Sequence, residues 1–184
     1  MSSQASRPGI SHLVLNVRDI EASERFYTEM LGFERCGKLA DRPGREPVDM
    51  RFFRGPQDHH HDLALVQVKG EAAKAPVPEW TMFTDIPGIG HIALAYGSRD
   101  EWPSQIEHLR GKGVEFKIRG NHGMTHSAYV VDPDGNGIEV LYDLPSEVWE
   151  GDVDAALSFF ETLPTEGDEA LNDDVDYKVF GANA

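Results

Sequence analysis

The 184 residues suffice for one domain of ordinary size or two small fused modules, and a 40% apolar content supports a packed core. A net charge of −15 disfavours nucleic acid and anionic membrane surfaces as partners, because both call for a basic face; no apolar run reaches the ~18 residues that span a bilayer. The single cysteine, Cys36, excludes an intrachain disulfide framework, and residues 1–8 lack the apolar core of a secretory signal, so a cytoplasmic location is expected.

In chain order, residues 9–17 read as a strand with Leu13, Leu15 and Val17 on one face and His12, Val14 and Asn16 on the other. Asp19 is a candidate N-cap for a helix over 20–31, whose apolar stripe is Ile20, Phe26, Tyr27, Met30 and Leu31, and Gly32 ends it. Strands are expected at 33–36, 48–54 and 59–68, separated by a polar loop and a turn. Residues 69–87, with Pro76, Pro78 and Pro87, read as a linker in which Trp80, Met82 and Phe83 pack on something.

The pattern then restarts. Residues 88–96 match 9–17 at Gly, Ile, His and Leu with a constant offset of 79, and a helix over about 100–110 and strands at 114–118, 127–131 and 138–142 follow. Between the last two strands, Asp132-Pro-Asp-Gly-Asn-Gly137 is dense turn chemistry. The expected class is therefore α+β: two βαβββ modules, 9–68 and 88–143, with pseudo-two-fold symmetry, joined by the 69–87 linker and sharing one core as an open, mostly antiparallel, barrel-like sheet around a metal site. Residues 144–184 form an acidic C-terminal extension. From Ser146 onward it holds eleven acidic residues and one basic one, a net of −10, and it reads as a solvated, partly loose face, with Tyr177, Val179 and Phe180 able to dock.

Chemistry enters through three residues. His12 and His91 occupy matched places in the two repeats, each within an apolar strand. Either alone reads as packing. As a matched pair, with the carboxylate of Glu139 in the last strand, they read as metal ligands, because a buried carboxylate is costly unless paired. Two imidazoles and one carboxylate on one face of an octahedral ion suit Fe(II), with Mn(II) as a substitute. His61, at the start of the last strand of the first module, is expected to reach the same cavity, while His59 and His60 read as turn residues. His122 and Tyr129 flank the Glu139 strand, His126 is a candidate cavity residue, His108 reads as surface, and Cys36 as a small buried hydrophobe.

His61-Asp-Leu-Ala-Leu65, Asn121-His-Gly-Met-Thr125 and Tyr129-Val-Val-Asp-Pro-Asp-Gly-Asn-Gly-Ile-Glu139, together with His12 and His91, resemble the vicinal oxygen chelate superfamily, and within it the type I extradiol ring-cleaving dioxygenases. The length resembles the small one-domain group, similar to biphenyl-2,3-diol 1,2-dioxygenases of types II and III. The resemblance runs from about Gly9 to Tyr142. It implies His12, His91 and Glu139 as iron ligands, His61 as an acid–base histidine near the oxygen site, His122 as a hydrogen-bond partner of the substrate oxygen, and Tyr129 as the tyrosine beside it. The His122-to-Tyr129 gap is two residues shorter than in the larger two-domain members. The implied activity is Fe(II)-dependent cleavage of a catechol by O2 next to the diol. Two rivals share the fold: a glyoxalase-like isomerase or lyase using Zn or Ni, with His61 as a fourth ligand, and a metal-free protein that sequesters a small aromatic molecule. The expected partners are a small aromatic diol, O2 and further copies of the chain covering open sheet edges.

Overall fold

The computed structural model describes residues 9–56, 60–171, 173 and 177–181. His59 and residues 1–8 lie outside these. The chain divides into two compact units, Met1–Val77 and Pro78–Ala184.

The first unit contains β1 (Leu13–Val17), α1 (Ile20–Arg25), β2 (Glu34–Lys38), β3 (Met50–Arg54) and β4 (Leu63–Gln67). Asp19 caps α1 as expected, its side chain accepting from the amides of Glu21 and Ala22. The helix then widens into a π-helical stretch, Phe26–Met30, so the predicted stripe is only partly regular, yet Phe26, Tyr27 and Leu31 are buried. The strands form one sheet in the order β1-β4-β3-β2, with β1 and β4 parallel and the other pairs antiparallel. Leu15, Val17, Phe53, Leu63 and Leu65 are buried in its core, each worth about 1.5–3 kcal/mol. Arg51 of β3 ties the helix to the sheet: its guanidinium binds Glu21 and Glu24 of α1 and, at 3.0 Å, Asp49. Cys36 is exposed rather than buried, because it sits where the β2–β3 register shifts between Arg35 and Gly37.

The second unit repeats the topology. β5 (Ile92–Ala95), α2 (Trp102–Gly111), β6 (Ile118–Asn121), β7 (Thr125–Val131) and β8 (Gly137–Asp143) give the order β5-β8-β7-β6, the same permutation, again with one parallel pair. Two mixed sheets of four and five strands with a few helices make the expected α+β class. The strand expected at 114–118 begins only at Ile118. Trp102, Ile106 and Leu109 of α2 are at most 1% exposed, and Trp102 packs edge-on against Tyr142 of β8.

The described residues of the tail are docked rather than loose. After α3 (Ser146–Trp149) and α4 (Val153–Leu157), a two-residue strand β9 (Glu161–Thr162) adds to the edge of β6 as the fifth strand. Ala156, Ala170, Asp173 and Phe180 are buried, and the Phe180 amide donates to the Val148 carbonyl at 2.8 Å. Among the described residues no helix is long and apolar enough to cross a membrane.

Candidate active site

The site starts from a turn. The Asp132 carboxylate accepts from the amides of Asp134 and Asn136 at 2.9 and 2.8 Å and from the Asn136 side chain at 2.9 Å, while Gly135 supplies the left-handed conformation at φ 87°. This turn sets the β7–β8 register, Val131 opposite Gly137 and Tyr129 opposite Glu139. β5 runs parallel to β8 with Ala93 beside Glu139. Side-chain alternation then puts His91, Tyr129, Ser127, Glu139 and His122 on one face of the sheet.

On that face, His91 Nε2 lies 3.0 Å from Glu139 Oε2, and the Ser127 hydroxyl donates to Glu139 Oε1 at 2.5 Å. Tyr129 stands with its ring perpendicular to His91, centroids 5.5 Å apart, and its hydroxyl is hydrogen-bonded to His122 Nε2 at 3.0 Å. Burial lowers His122 from its ordinary value, so it stays a neutral imidazole at pH 7. Burial, helped by the charge of Glu139, pushes the Tyr129 phenol up, so it stays protonated. The pair is thus a protonated phenol hydrogen-bonded to a neutral imidazole.

His91 and Glu139 fit a divalent cation by the chemistry of the donor set: an imidazole nitrogen and a carboxylate oxygen converge, and the carboxylate is only 6% exposed, with Ser127 and His91 on its two oxygens. Among the described residues no three His, Cys, Asp or Glu side chains stand together as a metal-holding group; the second unit brings together two of the three expected ligands.

The third, His12, belongs to the first unit. It immediately precedes β1, as His91 immediately precedes β5; neither lies within its strand, as the sequence suggested, but both keep matched places. The His12 ring is 4.5 Å from His61 and 6.2 Å from His60, and the Nδ1 atoms of His60 and His61 are 2.6 Å apart. His61 precedes β4 rather than lying in it. By register the β4 counterpart of Glu139 is Ala64, since Leu63 pairs with Leu13 as Ile138 pairs with Ile92. The first repeat thus offers no second carboxylate at that place. His108 lies on α2.

His126 lies on the opposite face. It is fully buried, with Nδ1 2.9 Å from the Tyr142 hydroxyl and 3.2 Å from the Asp173 carboxylate, which also binds Tyr142 and, at 3.5 Å, Arg119. It is therefore not a cavity residue: three residues before Tyr129 is an odd step along a strand.

Sequence reasoning missed Ser127, although its two-residue spacing from Tyr129 put it on the site face. Ser127→Ala is expected to lower divalent-metal affinity about 10- to 100-fold with the fold intact, as loss of an outer partner of a ligand does; titration of the variant with Fe(II) against a competing chelator checks this, and an unchanged affinity would count against the role.

A model of the Glyoxalase/Bleomycin resistance protein/Dioxygenase superfamily matches residues 9–140. The chain is similar to biphenyl-2,3-diol 1,2-dioxygenase 3 of Rhodococcus globerulus, 29% identical over 136 residues, covering 74% of this chain but only 64% of that protein's length. It is similar also to lactoylglutathione lyase of Pseudomonas putida, 30% identical over 156 residues, 73% of this chain and 85% of that enzyme. The crystal structure of a glyoxylase/bleomycin resistance protein/dioxygenase domain from Frankia sp. EAN1pec shares the fold, with a TM-score of 0.59, 20% identity, and coverage of 76% of this chain and 100% of that one.

Proposed function

We propose a catalytic role from one established premise: the chain belongs to the Glyoxalase/Bleomycin resistance protein/Dioxygenase superfamily. The role is that of an extradiol dioxygenase that opens a catechol ring next to its diol, inserting both atoms of O2 to give a semialdehyde or keto acid. His12, His91 and Glu139 would hold Fe(II), with Mn(II) compatible with the same donors. A bound divalent cation supplies Lewis acidity toward the diol oxygens and redox chemistry toward O2. The other steps fall to the side chains. Tyr129 and His122 orient one diol oxygen and hold its proton between the hydroxyl and Nε2. His61 acts as the base that removes a proton from the diol and as the acid that returns one when the O–O bond breaks.

The observation that carries this reading is the His122–Tyr129 pair standing on the same face as the His91–Glu139 pair. A glyoxalase-type isomerisation has no task for a phenol hydrogen-bonded to a histidine. That second reading draws support from the similarity to the lyase over 85% of its length, so the test sets the two side by side. The Fe(II)-loaded protein should turn catechols yellow in air without glutathione. A Zn- or Ni-loaded protein that isomerises the glutathione–methylglyoxal adduct, with no coloured product from any catechol, would overturn the dioxygenase reading. A metal-free binding role leaves the buried Glu139 carboxylate without a purpose.

His61→Ala is expected to keep near-normal iron content and lose about 10²- to 10⁴-fold in turnover, the usual contribution of general acid–base catalysis. Steady-state oxygen uptake at matched iron loading measures this, and an unchanged turnover number would remove His61 from the mechanism.

A further inference from the structure

We infer that Trp80 and Phe160 are the aromatic walls of the substrate face in the second unit, and that the diol they fit carries an aryl-sized apolar substituent; this rests on the dioxygenase reading above. Both rings are seated by glycines two residues before site residues. On β8, a Cβ at Gly137 would lie 2.1 Å from the Trp80 indole nitrogen; Gly137 shares its face with Glu139. On β6, a Cβ at Gly120 would lie 2.3 Å from the Phe160 ring; Gly120 shares its face with His122. A glycine inside a strand marks a place where something approaches closely, and here an aromatic ring does so at both ends of the site.

Each ring is also held in place. The Trp80 indole donates to the Gly90 carbonyl at 2.7 Å, one residue before His91, and stacks on Tyr129 at 5.8 Å and 15°. Phe160 is fixed by the pairing of β9 with β6, Glu161 opposite Asn121, and its ring lies 5.0 Å from that of His122. Four rings thus run in a row, Trp80, Tyr129, His122 and Phe160, with centroids 5.8, 6.0 and 5.0 Å apart. Phe160 is 48% exposed although it touches a catalytic candidate, so it retains apolar surface to give to a ligand. A flat, electron-rich ring packs favourably on such rings in offset or edge-on contact. The end of the row at Phe160 lies beyond the Tyr129–His122 bond that would hold a diol oxygen, which is where a ring substituent has apolar area to cover. Phe160 comes from the C-terminal extension, which gives that segment a part in selectivity.

The test is anaerobic titration calorimetry of the Fe(II)-loaded full chain with catechol and with 2,3-dihydroxybiphenyl. The wild-type protein should prefer the biphenyl. Phe160→Ala should reduce the ratio of the two dissociation constants about tenfold or more, in line with removing one apolar wall. Gly120→Ala, which leaves the phenylalanine in the chain but drives its ring off the strand, should reduce the ratio in the same direction; it guards against a misfolded tail in the first variant. An unchanged ratio in both variants, with wild type binding both diols, overturns the walls alone. A wild type that binds neither diol overturns the dioxygenase reading and the walls with it.

Discussion

Glu139→Ala should emerge from purification without iron and without ring-cleaving activity. Its carboxylate is 6% exposed, has Ser127 on one oxygen and His91 on the other, and belongs to a strand whose neighbours Ile138 and Val140 are fully buried. A carboxylate there is expensive to desolvate, and a bound cation would offset the cost while using His91 as well. Loss of an outer partner of a metal ligand lowers affinity about 10- to 100-fold, so loss of the ligand itself should exceed about 100-fold. Stability should change little by comparison. The Ser127 hydroxyl loses its acceptor, at about 1 kcal/mol, while removal of the buried charge works in the opposite sense. Iron content by elemental analysis and a thermal melt separate a ligand from a structural residue: full iron retention, or collapse of the fold, would contradict the assignment.

Asp173→Ala should cost about 3–5 kcal/mol of stability in chemical denaturation, the usual consequence of breaking a buried ion pair from one side. Asp173 is 5% exposed and its carboxylate binds the Tyr142 hydroxyl, His126 Nδ1 and the Arg119 guanidinium, while its carbonyl accepts from Arg99 at 2.7 Å. Arg119 is 1% exposed; burial already pulls its guanidinium below the ordinary value and the charge of Asp173 opposes this. Without Asp173 the cation is left buried, held by its hydrogen bond to the Pro164 carbonyl at 3.0 Å. Asp173→Asn should cost less, because an amide oxygen still accepts from Tyr142 or His126. A loss within about 0.5 kcal/mol for the alanine variant, the range of an ordinary surface substitution, would show that the network does not anchor the tail.

The fold was legible because the signal is repeated. The Gly-Ile-x-His start recurs at an offset of 79, a helix and three strands follow it each time, and the two sheets accordingly share one strand permutation. The hairpin was legible because Asp132, Asn136 and Gly135 each carry a backbone task that few other residues perform. The site was legible in part: the His91–Glu139 and His122–Tyr129 pairs stand where their residue types suggested. Parity along β7 could have placed His126 with the core and Ser127 with the site, but residue type outweighed position in the reading. Gly137 was read as part of the turn rather than as the seat of a ring, and nothing in the sequence pattern singled out Gly120. In the tail the docking of Phe180 was legible, but the rest of its order comes from long-range partners, Asp173 on Arg119 and β9 on β6, which leave no periodic trace in a segment dominated by acidic residues.

The measurement that bears most directly on the catalytic proposal is isotope incorporation. The protein is loaded with Fe(II) under argon, given 2,3-dihydroxybiphenyl, and exposed to ¹⁸O₂, and the yellow product is trapped and weighed by mass spectrometry. The account predicts a ring-opened product carrying two atoms of ¹⁸O from one O2 molecule, before any exchange with water. Stoichiometric iron with intact diol, no oxygen uptake and no label in any product would contradict it.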